Sequence, residues 1–363
     1  MSTKFLFAIA EATDDAELRM LIRRTSMPGS ISLSWSREPS FFAAQQVGCI
    51  RSETIVCRRS DTGNIIGFGG RSLWNTYQDG VEKTVWYLHS LRLLVEERDG
   101  TALLRGYRYF ASLPNGSDVP YFITTILDDN EYAKKVLERR CPGMPVYTRV
   151  GTMGTYLVPL RVHTKLKHSN TIAVCNSNLF PSACEFINTW NRQYEFAAVH
   201  KPDSKDELFH GFPVQNLYTS LLNGKVNGTL GIWNQQSFKQ LIVDSYSPVM
   251  NIGRYIHNAW SYIKGYPYLP PEGKEISMVH ATCISAQNND VSVFRRLLEQ
   301  AISDWSGIGH DWMAIGVSAG HPFEEVLLKK SIRRIVSGVY IVDWGNEEIV
   351  LPKKDIHLEI ALL

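Results

Sequence analysis

Residues 121–139, YFITTILDDNEYAKKVLER, constrain the fold of this chain more than any other stretch. A β-branched and aromatic run, YFITTIL, ends at Asp128-Asp129-Asn130, and a helix-forming segment follows at once. The pattern predicts a strand feeding a helix through a polar cap. Asn130 is placed to cap that helix with its side-chain oxygen. Ala133, small and on the first turn, lets something pass close to the backbone. A second strand–turn–helix precedes it, TVWYLHSLRLLVEERDGTALLRGYRYF at 84–110.

The chain has 363 residues, long for one compact domain and suited to two of about 150–200 residues each. Hydrophobic residues make up 44%, charged residues 20%, and the net charge is +2, so nothing demands a nucleic-acid or anionic-membrane partner. The cysteines Cys49, Cys57, Cys141, Cys175, Cys184 and Cys283 form no CxxC pair, and no His cluster has ligand spacing. They read as buried small hydrophobes in a reducing compartment, with no metal expected. The opening MSTKFLFAIAEATDD is broken by Glu11 and makes a poor signal peptide. No apolar run reaches the roughly 18 residues of a membrane span, so a cytoplasmic location is expected.

Strand-like runs fall near 4–12, 53–59, 65–74, 84–95, 121–127 and 146–160, with helical patterns near 14–26, 101–113 and 130–139. The polar, basic stretch 161–170 interrupts this order and predicts a boundary, giving units 1–162 and 163–363. The second unit repeats the order of elements: a strand (171–175), a helix (181–193) and a hairpin (217–233). Then come a strand (275–285), a helix (291–305), a strand (312–318), a helix (322–331) and closing strands (333–344 and 355–363). Between them, 238–272 is rich in Tyr and Pro and reads as a covering segment, or as a lid or acceptor wall. His310 and His321 flank a strand and read as solvated loop residues. His280 and Cys283, three apart on one strand, are expected on opposite faces.

Residues 91–105, LRLLVEERDGTALLR, place a strand end near Val95, a tight turn, and a helix start near Thr101. Gly100 removes a side chain where a phosphate would approach, and Arg98 adds positive charge. A structural turn with a solvated EERD cluster is the plainer reading of this segment alone.

Together with 121–139, it resembles the GNAT-type N-acyltransferases, and RDGTALLRGYRYF, YFITTILDDN and SMPGSISLSWSREPSF (26–41) resemble a tandem subgroup of them. The resemblance implies an α/β (α+β) fold of two tandem GNAT-like domains, each a mixed, mostly antiparallel twisted sheet flanked by helices. It implies acetyl-CoA or another acyl-CoA as co-substrate. Leu91, Leu93 and Val95 would meet pantetheine, Arg98, Asp99, Gly100, Thr101 and Ala102 the pyrophosphate, and Asn130 and Ala133 the arm near the second helix. The family's phosphate signature is incomplete: with Gly100 at its centre, Glu97 stands where Arg or Gln is usual. The usual acid, a Tyr seven residues after Asn130, is replaced by Leu137. His89, Tyr87 and Tyr132 are the remaining candidates for proton transfer. In the second unit the matching turn, SAQNND (285–290), lacks glycine, and Asp290 would compete with a phosphate.

The expected activity is N-acyl transfer, foremost N-acetyl transfer, to a primary amine of a small molecule or peptide. A fatty-acyl transferase acting on a peptide amine and a non-catalytic acyl-CoA sensor are the alternatives. A homodimer is left open.

Overall fold

The computed structural model describes residues 4–27, 29–98, 101–160, 171–201, 207–209, 211–345 and 349–363. The first half contributes β1 (Phe5–Ile9), α1 (Asp15–Arg24), β2 (Ile31–Ser36), α2 (Phe41–Gln45), β3 (Arg51–Arg59) and β4 (Ile65–Gln78). It continues with β5 (Val81–Leu93), α3 (Ala102–Ser112), β6 (Phe122–Leu127), α4 (Glu131–Leu137) and β7 (Val146–Pro159). The second half begins with β8 (Ile172–Val174), α5 (Phe180–Asn191), β9 (Glu207–Phe209), β10 (Phe212–Pro213), β11 (Leu217–Leu222), β12 (Lys225–Trp233) and β13 (Gln240–Tyr246). It closes with α6 (Pro248–Lys264), β14 (Met278–Ala286), α7 (Val291–Trp305), β15 (Trp312–Ser318), α8 (Glu324–Lys330) and β16 (Arg333–Asp343).

Among the described residues twelve strands form one sheet, ordered β1-β3-β4-β5-β6-β16-β7-β15-β14-β12-β11-β8. Neighbours are antiparallel except β5 with β6 and β14 with β15. The order crosses the expected boundary. β16 lies between β6 and β7, and β7 lies between β16 and β15. Each half therefore borrows one strand from the other. A separate ribbon pairs β2 with β13, from Ser36↔Gln240 to Ile31↔Tyr246.

Local chemistry explains these elements. Asp290 Oδ1 accepts from the amides of Ser292 (2.8 Å) and Val293 (3.3 Å), which starts α7. Val293, Phe294, Leu297, Leu298 and Ala301 then bury one face against the sheet. The β11–β12 turn places Asn223 and Gly224 at φ 51° and 76°, the left-handed pair that a two-residue hairpin favours.

One expectation about the strands fails. Residues 355–363 do not join the ladder: Ile356 makes one bridge, to Glu195, and a turn of 3-10 helix occupies 360–362. Their two-residue alternation instead sends Ile356, Leu358 and Ile360 into the core beneath the sheet. The Tyr- and Pro-rich segment 238–272 holds a strand and a 17-residue helix, α6.

Candidate active site

Parallel pairing of β5 with β6 runs through Trp86↔Phe122, Tyr87↔Ile123 and Leu88↔Thr124, then stops. Thr124 Oγ1 donates to the Leu88 carbonyl at 2.8 Å and closes the last rung. The cause of the parting lies on the other edge of β5. There Phe68 pairs with Arg92 and Gly70 with His89, so Ser90 and Leu91 together face Gly69. This is a β-bulge, with Ser90 at φ 56°. A bulge sharpens the twist of its strand, which here carries the end of β5 away from β6. Leu91 and Leu93 thus lie on the part of β5 that β6 does not cover.

One mouth of the gap holds most of the expected cofactor residues. Val95 and Thr101 are exposed, while Ala102 is buried against Phe5, Cys57 and Ile66. Arg98 Nε donates to the Leu93 carbonyl at 3.3 Å, and its guanidinium lies 5.1 Å from the Tyr132 ring centroid, joining the two β-to-α junctions. The Thr101 side chain does not cap α3, and the first turn of α3 carries no acid. Asn130 Oδ1 accepts from the Ala133 amide at 3.1 Å and caps α4. Asp99 and Gly100 lie outside the described residues. Glu97 is turned inward, bonded to Lys4 and Arg59 at 2.9 Å each.

The other mouth opens on a cleft lined by Tyr87 and His89 of β5, Ser72 and Trp74 of β4, and Arg37 and Lys239. Tyr132 takes no part in it. His89 is hydrogen-bonded through both ring nitrogens, Nε2 to Ser72 Oγ (2.9 Å) and Nδ1 to Ser90 Oγ (3.1 Å). Burial, then the Arg37 charge, pushes it down to about 3, so it is neutral at physiological pH. Gly70 makes room for the imidazole: a Cβ there would lie 2.3 Å from the ring. Tyr87 stacks on Trp74 with centroids 4.2 Å apart and shares a 2.7 Å hydrogen bond with Thr125. Burial pushes its phenol up to about 12.

Lys239 has no signal in the sequence, because its burial comes from a remote strand that pairs beside it. Its ammonium bonds the Leu363 main-chain oxygen and sits 5.2 Å from the Trp35 centroid. Burial, then Arg37, pushes it down to about 7. Arg37 itself is pushed down to about 10 by burial and then Arg92, and its Nε has no partner among the described residues.

The second half repeats the gap and fills it. β14 and β15 pair through Met278↔Trp312, Val279↔Met313 and His280↔Ala314, then part. A matching bulge sets Thr229 opposite Ser285 and Gly231 opposite Thr282, with Cys283 at φ 53°. The bulge breaks the simple alternation from His280 to Cys283, and both are buried. The Cys283 amide donates to Glu359 Oε2 at 2.9 Å. Ile360 packs against Gly316 of β15, and Ser318 Oγ donates to the Ile356 carbonyl. Contrary to expectation, His321 is buried, its Nε2 3.1 Å from the Tyr194 hydroxyl.

No protein-family model and no curated protein matches the sequence. Solved structures do. A Saccharomyces cerevisiae N-myristoyltransferase with bound myristoyl-CoA matches with a TM-score of 0.61 and 9% identity, over 99% of this chain and 90% of its own. A second structure of that enzyme with myristoyl-CoA gives 0.61 and 10%, over 98% and 84%. A GCN5-related glucosamine N-acetyltransferase region of a fungal multi-domain β-N-acetylglucosaminidase gives 0.58 and 11%, over 94% of this chain and 38% of that one. The chain shares the fold of these N-myristoyltransferase structures and of the GCN5-related N-acetyltransferase region, a GNAT-type fold.

Proposed function

We propose that the protein is an acyl-CoA-dependent N-acyltransferase that moves a fatty acyl group to a peptide amine. The observation that carries this reading is the early end of the β5–β6 ladder beside the Ser90 bulge. A pantetheine arm needs free strand-edge groups, and a pyrophosphate needs helix-start amides. Leu91, Leu93 and Val95 supply the first. Arg98 to Ala102, with a start of α3 that Thr101 does not cap, supply the second. Asn130 and Ala133 border the arm from α4. Tyr132, beside Arg98, belongs to the donor end rather than to the chemistry.

The amine nitrogen attacks the thioester carbonyl carbon, the C–S bond breaks, and the thiolate leaves and takes up a proton as CoA. The proton lost by the amine goes to Lys239, the group in the cleft that changes charge near neutrality. His89, held neutral, orients the Ser72 and Ser90 hydroxyls, and Tyr87 supports its ring face. Residues 163–363 contribute Lys239 and a wall of the cleft and bind no CoA of their own, since Glu359 and Asp290 take the matching amides.

The myristoyl-CoA held by the yeast structures favours a fatty donor. Acetyl transfer to a small amine is the second reading, favoured by the likeness to the glucosamine N-acetyltransferase region. The test is thiol release from myristoyl-CoA and acetyl-CoA across peptide and small-molecule amines, with product mass and bound CoA per chain. Expected are turnover with myristoyl-CoA and a peptide, a rate rising with pH through about 7, and one CoA per chain. Tight CoA binding without turnover on any amine would make the protein a sensor instead.

A further inference from the structure

α6 is built inside out. A surface helix of a globular protein turns its apolar stripe inward. Here the inward face is polar and hydrogen-bonded, apart from the buried Arg254 Nε, which has no partner among the described residues. Asn258 exchanges two hydrogen bonds with the backbone of Leu269 (2.9 and 3.0 Å), and Ser261 Oγ and His257 Nε2 donate to the Pro267 carbonyl at 3.1 and 2.8 Å. Arg254 is buried, its guanidinium 5.4 Å from the Tyr246 ring centroid and 4.6 Å from that of Tyr255. The outward face carries Val249, Ile252, Tyr255, Ile256, Trp260 and Ile263, which are 55% to 81% exposed. The helix is anchored: Ser247 Oγ caps it at the Met250 amide, and Gly265 ends it at φ 68°. Its orientation is therefore set by specific bonds, not by chance packing.

An exposed apolar row of this size marks a contact surface. Three features choose its occupant. The row is convex, following the crest of one helix for about 21 Å, so it suits a deformable partner. Between Asp244 and Glu272 the chain has no acidic residue, while Lys264 ends the helix, which suits an anionic surface. Tyr255, Trp260 and Tyr266 are exposed amphipathic aromatics of the kind that settle at a headgroup boundary. Among the described residues no helix is long and apolar enough to cross a membrane, so docking through α6 would run along the surface.

We propose that the outward row of α6 docks the protein on the surface of an anionic lipid bilayer. The proposal is independent of the transferase reading. Its test is flotation of the full chain with vesicles of phosphatidylcholine containing phosphatidylserine. Wild type is expected to float, and Ile252→Glu/Ile256→Glu/Ile263→Glu is expected to bind at least about tenfold more weakly with unchanged melting temperature and circular dichroism. Wild type that stays at the bottom, or a triple variant that floats as well as wild type, overturns the proposal. So does a wild-type dimer in sedimentation velocity that the triple variant converts to monomer, since the row would then cover a second copy.

Discussion

Beside Ser90 the bulge of β5 opens onto a gap, whereas beside Cys283 the bulge of β14 opens onto the chain itself. The backbone device is the same in both places. Three parallel rungs end, a left-handed residue on one strand kinks it away, and a helix starts just beyond. What differs is who satisfies the freed groups. Glu359 takes the Cys283 amide, Ile360 lies against Gly316, and Asp290 caps α7. Among the described residues no side chain accepts from the Ser90 amide or caps α3 through Thr101. Buried main-chain donors need partners. A site of this kind is closed by its own chain or left open; the second gap is closed, and the first is the one we propose for CoA.

The largest effect comes from the carboxylate that closes the second gap. Burial pushes Glu359 up to about 7 from its ordinary 4.5, although the Cys283 amide pulls the other way. Between those values the folded state holds the extra proton, so this group lowers stability as pH rises through that window. Glu359→Gln keeps an acceptor for Cys283 and removes the titration. In urea unfolding, its stability relative to wild type should rise by about 3 kcal/mol from pH 5 to pH 8. His89 and His357, each pushed down to about 3, titrate with the opposite sign in both proteins and cancel. A difference that stays flat with pH would mean that Glu359 does not plug the gap as described.

Next is Gly316→Ala. The new Cβ would lie 2.2 Å from Ile360 Cγ2. Dislodging that segment should cost about 2 kcal/mol in thermal denaturation and speed hydrogen exchange at the Cys283 amide. Unchanged exchange there would separate the amide from the plug.

The smallest effect sharpens the open side. Arg98→Glu should weaken CoA about tenfold by calorimetry, roughly 1.4 kcal/mol. Arg296→Glu, on the first turns of the capped helix α7, should leave CoA affinity as it was. Equal losses at both positions would abolish the distinction between the two gaps.

Much of this architecture is legible in the sequence. α7 and β15 match their expected limits because an acidic cap and a dense apolar face mark them locally. The strand–helix junctions at 84–110 and 121–139 are readable because β-branched and aromatic runs give way at once to helix-forming residues. Helix α6 escapes such a reading although Ser247-Pro248 and Gly265 bracket it, because its aromatic, β-branched residues favour extended chain and its apolar side faces out. The β2–β13 ribbon and Lys239 depend on pairing between remote segments, which no local pattern encodes. The strand expected at 355–363 does not form, because alternating apolar residues do not say whether a chain lies within a sheet or under it.

The place of β16 bears on how the molecule is made. A nascent chain that has released only its first 160 residues has β6 and β7 but not the strand that separates them. Until residue 343 leaves the ribosome, β6 presents a bare edge, open to pairing with any passing extended segment. Completion of the sheet is thus deferred until β16 has been made, and a fragment cut at the midpoint would be born sticky.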